Sequence, residues 1–336
     1  MTNMYVSAKA QQLSQALSMG ERRVLAKCCS LAESTRKEDQ ILLAEVLACV
    51  AVPTQPTRRI AVTGAPGVGK SSIIENWGAS MLRDGHKVAV LAIDPSSKRT
   101  GGSILGDKTR MQSLANAPDA FVRPQPSGNH LGGTARATRL CIPLCEAAGF
   151  DTILVETVGV GQSEVEVADM VDACLLLTLP TAGDDVQAIK RGIMEVADVV
   201  AVTKSDIDRA AAQRAAAILQ GAIRLLQPPS ESWTSRIVLA NAVNDHGLEE
   251  LALAVDAFFA ADRLDVVQRR REHQRLLWFE SDVSTIMHDA MMRHERIHGK
   301  VIEMRQALHA GRIPVPLATL AVMEVVHDIL QWKDKT

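Results

Sequence analysis

Gly64-Ala65-Pro66-Gly67-Val68-Gly69-Lys70-Ser71 follows the apolar run Arg59-Ile60-Ala61-Val62-Thr63 and leads into Ser72-Ile73-Ile74-Glu75. The pattern is G-x(4)-G-K-S between a strand-like and a helix-like segment, the context in which it forms a phosphate-binding loop. Its glycines let backbone N–H groups turn inward around a triphosphate, and the N-terminus of the following helix adds partial positive charge. Lys70 supplies an ammonium for the β- and γ-phosphates, and Ser71 a hydroxyl for Mg2+. Residues 64–72 are the expected nucleotide cradle, with Lys70 its catalytic cation.

Downstream of the loop, short apolar runs at 87–93, 120–123, 152–156, 173–179, 198–203 and 236–240 alternate with helix-length stretches. With 59–63 they predict a mainly parallel sheet covered by helices on both faces, the α/β architecture of a P-loop NTPase. Upstream, Leu13, Leu17, Val24, Leu25, Leu31, Leu42, Val46 and Cys49 recur at helical spacing. That preface is broken near Ser34-Thr35 and stopped by Pro53 and Pro56. From Leu264, heptad-like apolar residues including Leu276, Phe279, Val283, Ile286 and Met287 predict a helical arm, continued after Pro314 and Pro316 by Leu317, Leu320 and Met323. The expected organisation is a helical extension over 1–56, a nucleotide domain over 57–262 and a C-terminal helical arm over 263–336.

The 336 residues carry a net charge of −2, so no basic field points to nucleic acid or an anionic membrane. Aromatic residues make up 3%, which also argues against a base-stacking surface. No apolar run of about 18 residues spans a bilayer, and residues 1–20 lack the features of a signal or transit peptide. The expectation is a cytoplasmic protein. Six cysteines form no C-x-x-C pair and have no histidines at finger spacing, so neither a disulfide framework nor a zinc site is indicated. Cys141 and Cys145, four apart, share a helix face and read as buried thiols.

In open parallel sheets, ligands bind beyond the carboxyl ends of the strands. Asp94, Asp107 and Glu156 lie there or in glycine-rich loops and are candidate Mg2+ ligands alongside Ser71. For each carboxylate alone, helix capping or turn formation is the competing explanation. Glu156-Thr157-Val158-Gly159 has the form of a switch, because the Gly159 N–H can meet a γ-phosphate and release when it departs. In Thr203-Lys204-Ser205-Asp206, the Asp206 carboxylate can accept from the N1–H and N2–H of guanine, which favours GTP over ATP and GDP as product. Lys190 and Arg191 are either a solvated helix face or cations that reach developing phosphate charge when a partner orders their loop. Lys190 and Glu156 join Lys70 as candidate catalytic residues.

Together these stretches resemble the MeaB/ArgK family, the methylmalonyl-CoA mutase-associated GTPases related to the metallochaperone GTPases. The resemblance rests on Gly20-Glu21-Arg22-Arg23, Leu31-Ala32-Glu33-Ser34, the phosphate loop and Asp94-Pro95-Ser96-Ser97. It extends through Gly101-Gly102-Ser103-Ile104-Leu105-Gly106-Asp107-Lys108, residues 156–164 and residues 183–192 into the arm. What it implies is a GTPase chaperone of an adenosylcobalamin-dependent acyl-CoA mutase, gating cofactor delivery from a cobalamin adenosyltransferase and release of damaged cobalamin. It also implies that Ser71, Asp94, Asp107 and Glu156 form the Mg2+ shell, and that 94–110, 156–164 and 183–192 are switches, with Lys190 in the third. The same likeness puts Asn241 and Ala242 in the last guanine-side loop and makes the arm a homodimerisation element.

Two positions depart from the family pattern, which usually has Asn at Thr203 and Ser at Asn241. These departures leave open a client other than the methylmalonyl-CoA mutase. The rival readings are a P-loop kinase or ATPase of the arginine/ornithine transport type and a nickel-delivery GTPase, the latter disfavoured by the missing Cys/His motif. No D-x-H-x-x-G cobalamin pattern is present, so action on cobalamin is expected to be indirect.

Overall fold

The computed structural model describes residues 6–50, 56–94, 111–126, 131–157, 167–180, 191–225, 233–242, 245–260 and 264–330. Seven strands form one sheet: β1 (Arg58–Gly64), β2 (Val88–Asp94), β3 (Ala120–Pro126), β4 (Thr152–Glu156), β5 (Ala173–Thr178), β6 (Val199–Val202) and β7 (Arg236–Leu239). Their order is β3-β2-β4-β1-β5-β6-β7, and every pairing is parallel. All seven coincide, to within a few residues at their ends, with the apolar runs of the sequence. β4 and β5, both buried throughout, are the continuous hydrophobic runs expected of central parallel strands.

β1 lies between β4 and β5. The chain builds outward from β1 through β2 on one side and crosses to β5 on the other, so the end of β1 is the switch point of the sheet, where α/β folds bind ligands. Helix α4 (Lys70–Arg83) starts there. Ile60, Val62, Ile73, Ile74, Trp77, Val90, Leu154, Leu175 and Leu177 form the core that fixes the helix on the sheet.

The amino-terminal segment forms three helices, α1 (Ala8–Ser18), α2 (Arg22–Ala32) and α3 (Lys37–Cys49). The break at Ser34-Thr35 was expected; the break at Gly20 was not. Gly20 adopts φ +76°, its N–H donates to the Leu17 carbonyl at 2.9 Å, and the Glu21 N–H donates to Ala16 at 3.2 Å. This is a glycine-closed helix terminus. Leu17 and Val24 are seven residues apart, so the helical rhythm continues in phase across the stop and conceals it.

α2 packs on α6 (Leu131–Ala147), where Cys28 and Cys29 meet Cys141 and Cys145, all fully buried. Burial raises the Cys28 thiol, and the side-chain hydrogen bond with Cys29, then burial, raises Cys141, so Cys28 and Cys141 are packing groups at neutral pH. Arg123 of β3 reaches Glu33 at 2.7 Å and Ser30 at 3.2 Å, tying the end of α2 to the sheet edge. The three helices belong to one compact unit, Met1–Arg271, and Glu272–Thr336 forms a second.

At the amino-terminal ends of the strands, away from the phosphate loop, the first unit holds a buried ionic network. α10 (Leu264–Arg293) supplies Arg270, bidentate on Asp198 at 2.8 and 3.0 Å, and Arg271, bidentate on Asp172 at 2.5 and 2.7 Å. Arg59 holds Glu146 at 2.7 and 2.8 Å, and Thr57 adds a bond at 2.6 Å. Burial alone would raise the Glu146 carboxyl, but the bonds and charge of Arg59, with help from Thr57 and Arg271, hold it below the usual range. Within the second unit, α11 (Glu295–His309) and α12 (Val315–Leu330) pack through Ile297, Met304, Ala318 and Val326, and Arg296 pairs with Asp328 at 2.6 Å. Leu276, Phe279, Ile286, Met287, Leu317, Leu320 and Met323 are exposed. Among the described residues, no helix is long and apolar enough to cross a membrane.

Candidate nucleotide site

The phosphate loop owes its course to three glycines. Gly64 has φ +143°, and a Cβ there would lie 2.3 Å from the Leu177 carbonyl oxygen of β5. Gly67 at φ +77° and Gly69 at φ +102° are in the left-handed region, with open space around them. Gly64 is thus fixed by close approach and handedness together, the other two by handedness alone. Ala65, Pro66 and Gly67 are exposed at the loop rim, whereas the Val68 side chain is in the core, so Val68 offers the loop only its backbone.

Gly69 caps α4 without a side-chain bond, and no acidic residue occupies the first turn. The N–H groups of that turn and the helix dipole form an anion-binding end. Lys70 is buried, its ammonium donating to the carbonyls of Gly64 at 2.7 Å and Ala65 at 3.2 Å, which holds the cation over the loop. Ser72 points to solvent.

Ser71 and Glu156 come together from elements 85 residues apart, the Ser71 hydroxyl donating to Glu156 Oε1 at 2.7 Å. Glu156 is 6% exposed and ends β4, paired in register with Val62 of β1 and Ala92 of β2. Next to it, the Thr157 hydroxyl donates to Thr63 at 2.9 Å and the Thr157 N–H to Val62 at 3.1 Å. A hydroxyl and a carboxylate at the end of neighbouring elements are hard oxygen donors suited to Mg2+. Asp94 ends β2, one strand further along the sheet; its side chain, like Asp107, Gly159 and Lys190, lies outside the described residues.

The segment after β6 packs against the phosphate loop. The Thr203 hydroxyl is buried and turned inward, donating to the Val68 carbonyl at 2.8 Å and contacting the Thr178 carbonyl at 3.1 Å. Its single proton is engaged by the protein, so Thr203 braces the phosphate loop rather than offering a donor to a base. Lys204 takes φ 54°, and Asp206 is exposed, with a carboxylate free of partners among the described residues. Ser205 bonds the Ala240 carbonyl through its hydroxyl at 3.1 Å, and Asn76 of α4 bonds the Ala242 carbonyl at 2.5 Å. Gly247 of α9 (Asp245–Phe258) closes this corner, where a Cβ would lie 2.6 Å from the Asn241 nitrogen. Residues 203–206 and 240–242 therefore form one wall beside the phosphate loop, with Asn241 buried in it.

Sequence reasoning missed Thr203 as a brace, Asn76 as an anchor of the base-side wall, and Glu75, which bonds residues 113 and 114. Only the polar face of α4, with Ser71, Glu75 and Asn76 near the loop, hinted at the last two.

The family described as "Methylmalonyl Co-A mutase-associated GTPase MeaB" matches residues 25–296. The GTPase ArgK of Escherichia coli is 44% identical over 267 residues, covering 78% of this chain and 80% of that protein. The mouse protein named "Methylmalonic aciduria type A homolog, mitochondrial" is 40% identical over 302 residues, covering 85% of this chain and 71% of its own length. Among solved structures, the crystal structure of an LAO/AO transport system kinase superposes with a TM-score of 0.73 at 30% identity, covering 97% of this chain and all of that one. With the phosphate loop, the parallel sheet and these relatives, the chain is a guanine-nucleotide-binding P-loop GTPase that belongs to the methylmalonyl Co-A mutase-associated GTPase MeaB family.

Proposed function

We propose that this protein is a cytoplasmic GTPase chaperone of an adenosylcobalamin-dependent acyl-CoA mutase, in which the state of the nucleotide gates cofactor delivery and release of inactivated cobalamin. The observation that carries the gating part is the Ser71–Glu156 bond at 2.7 Å. It joins the phosphate-loop helix to the end of β4, so a change at the nucleotide has a direct mechanical route to that strand end. The client class is supported by the family description and by the name of the mouse relative.

In this reading Lys70 and the N–H groups of residues 64–72 bind the phosphates. Ser71, Asp94, Asp107 and Glu156 hold Mg2+, which when bound neutralises charge on the β- and γ-phosphates. The Gly159 N–H senses the γ-phosphate. Lys190 reaches the transferring phosphate when the mutase orders its loop, and Asp206 selects guanine from the wall formed with Asn241 and Ala242. The exposed apolar face of the arm mates with a second copy, giving a homodimer with a helical extension, a nucleotide domain and a dimerisation arm. A cobalamin adenosyltransferase is the cofactor donor.

The test is GTP hydrolysis by the purified protein, alone and with each candidate mutase. Stimulation by one mutase that is lost in Lys190→Ala is the expected result; hydrolysis indifferent to every such mutase overturns the client assignment. The name of the solved relative favours a second reading, a small-molecule kinase. Phosphorylated arginine or ornithine after incubation with nucleotide would establish it.

A further inference from the structure

The two halves of the wall beside the phosphate loop are held by separate ties. Residues 203–206 are tied to the loop itself, through the Thr203 hydroxyl on the Val68 carbonyl at 2.8 Å. Residues 240–242 follow β7, whose ladder with β6 ends where the Ala240 N–H donates to the Val202 carbonyl at 2.8 Å. Beyond that bond the backbone leaves the sheet, and three neighbours set its course. Ser205 holds the Ala240 carbonyl through its hydroxyl at 3.1 Å. Gly247 of α9 comes so close that a Cβ on it would lie 2.6 Å from the Asn241 nitrogen. Asn76 of α4 donates its side-chain amide to the Ala242 carbonyl at 2.5 Å.

Asn76 and Ala242 are 166 residues apart. Asn76 lies within the first two turns of α4, so the rigid helix that begins at Lys70 in the phosphate cradle also carries the tie to residue 242. At Ala242 the carbonyl is engaged, whereas the N–H makes no hydrogen bond among the described residues. With Asn241 packed against Gly247 on one side and the Ala242 carbonyl held on the other, that N–H is a donor of fixed position. Its match on a purine is an acceptor: guanine has O6 where adenine has the N6 amino donor.

We infer that Asn76 is a positioning residue for base specificity which, on the reading of Asn241 and Ala242 as the guanine-side loop, holds the Ala242 N–H where guanine O6 arrives when the phosphates lie at Lys70. Asn76 touches neither base nor phosphate. It serves one edge of the base only. Asp206, which accepts from N1–H and the N2 amino group, hangs from the other tie, through Thr203 and Val68. Loss of Asn76 therefore weakens recognition of O6 and leaves recognition of the amino edge in place.

The experiment uses the full-length protein and competition binding of three nucleotides: GTP; 6-thio-GTP, in which a weakly accepting sulfur replaces O6; and ITP, which keeps O6 and lacks the N2 amino group. The unsubstituted protein is expected to bind GTP more tightly than either analogue. Asn76→Ala is expected to weaken GTP about fivefold, the usual net worth of one hydrogen bond, and 6-thio-GTP little. The ratio of GTP to 6-thio-GTP affinity then falls towards one while the ratio of GTP to ITP is kept. A lower melting temperature, or an equal loss for all three nucleotides, with the GTP to 6-thio-GTP ratio unchanged overturns the inference, because the tie would then be structural only. An equal fall in both ratios overturns it as well, since the wall would then move as one piece. Should Asn76→Ala fail to fold, Asn76→Ser, whose hydroxyl is too short to reach Ala242, decides by the same ratios. If the unsubstituted protein does not distinguish GTP from 6-thio-GTP, the reading of residues 240–242 as the guanine-side loop falls and the inference with it. If it does and Asn76→Ala keeps the full distinction, the positioning role alone falls.

Discussion

The hydroxyl of Ser71 and the carboxylate of Glu156 lie 2.7 Å apart, bringing the first turn of the phosphate-loop helix into contact with the end of the strand beside β1. A hydroxyl and a buried carboxylate at the switch point of a parallel sheet form the two fixed oxygen donors around which nucleotide chemistry can be organised. Glu156→Gln keeps the shape and removes the charge. GTP hydrolysis is expected to fall about a hundredfold or more, with guanine nucleotide still bound in the absence of Mg2+. Single-turnover hydrolysis with binding measured in parallel checks this, and near-normal hydrolysis would remove Glu156 from the catalytic set.

Base selection has a separate test because Asp206 is exposed, whereas Thr203 is buried beneath the loop. In Asp206→Asn the amide matches the edge of xanthine better than that of guanine. The preference for GTP over XTP is expected to shift by about tenfold or more towards XTP in competition binding. Persisting GTP preference would place base recognition elsewhere.

Gly64→Ala forces a Cβ to within 2.3 Å of a β5 carbonyl, at φ +143°, so backbone must move. A loss of about 3 kcal/mol or more in urea unfolding is expected, together with weakened nucleotide binding. Gly67→Ala meets no neighbouring atom and carries only the conformational strain, so its stability loss is expected to be smaller, about 1 kcal/mol.

The buried network gives stability a pH dependence with a definite sign. The carboxyl of Glu146 is held below its ordinary value in the fold, so its contribution is fully present above the unfolded-state value of about 4 and is lost as pH falls below it. Glu146→Gln leaves Arg59 without its buried anion while Arg271 keeps Asp172, and a cost of about 3 kcal/mol is expected at neutral pH. Melting curves of both proteins should differ most near pH 7 and converge below about pH 4. A difference independent of pH would show that packing, not charge, carries the effect.

The sequence by itself determined the fold class and the place of the phosphate loop within it. The phosphate loop is continuous in the chain, and the seven apolar runs report strands because a buried parallel strand needs only local hydrophobicity to be legible. Glu156 and Asp206 could be singled out because they follow such runs. The stop at Gly20 escaped because periodicity is blind to a break that keeps its phase.

Only the tertiary structure decided which polar groups are paired. Glu75 and Ser113 are 38 residues apart, Arg270 and Asp198 72, and Thr203 and Val68 135, and no local pattern links them. Thr203 shows why this matters: its place after β6 names no partner, and in the fold its buried hydroxyl satisfies the backbone carbonyls of Val68 and Thr178. Local sequence sets where backbone and hydrophobic faces go, whereas the partner of a buried polar group is chosen by whatever the fold brings within about 3 Å.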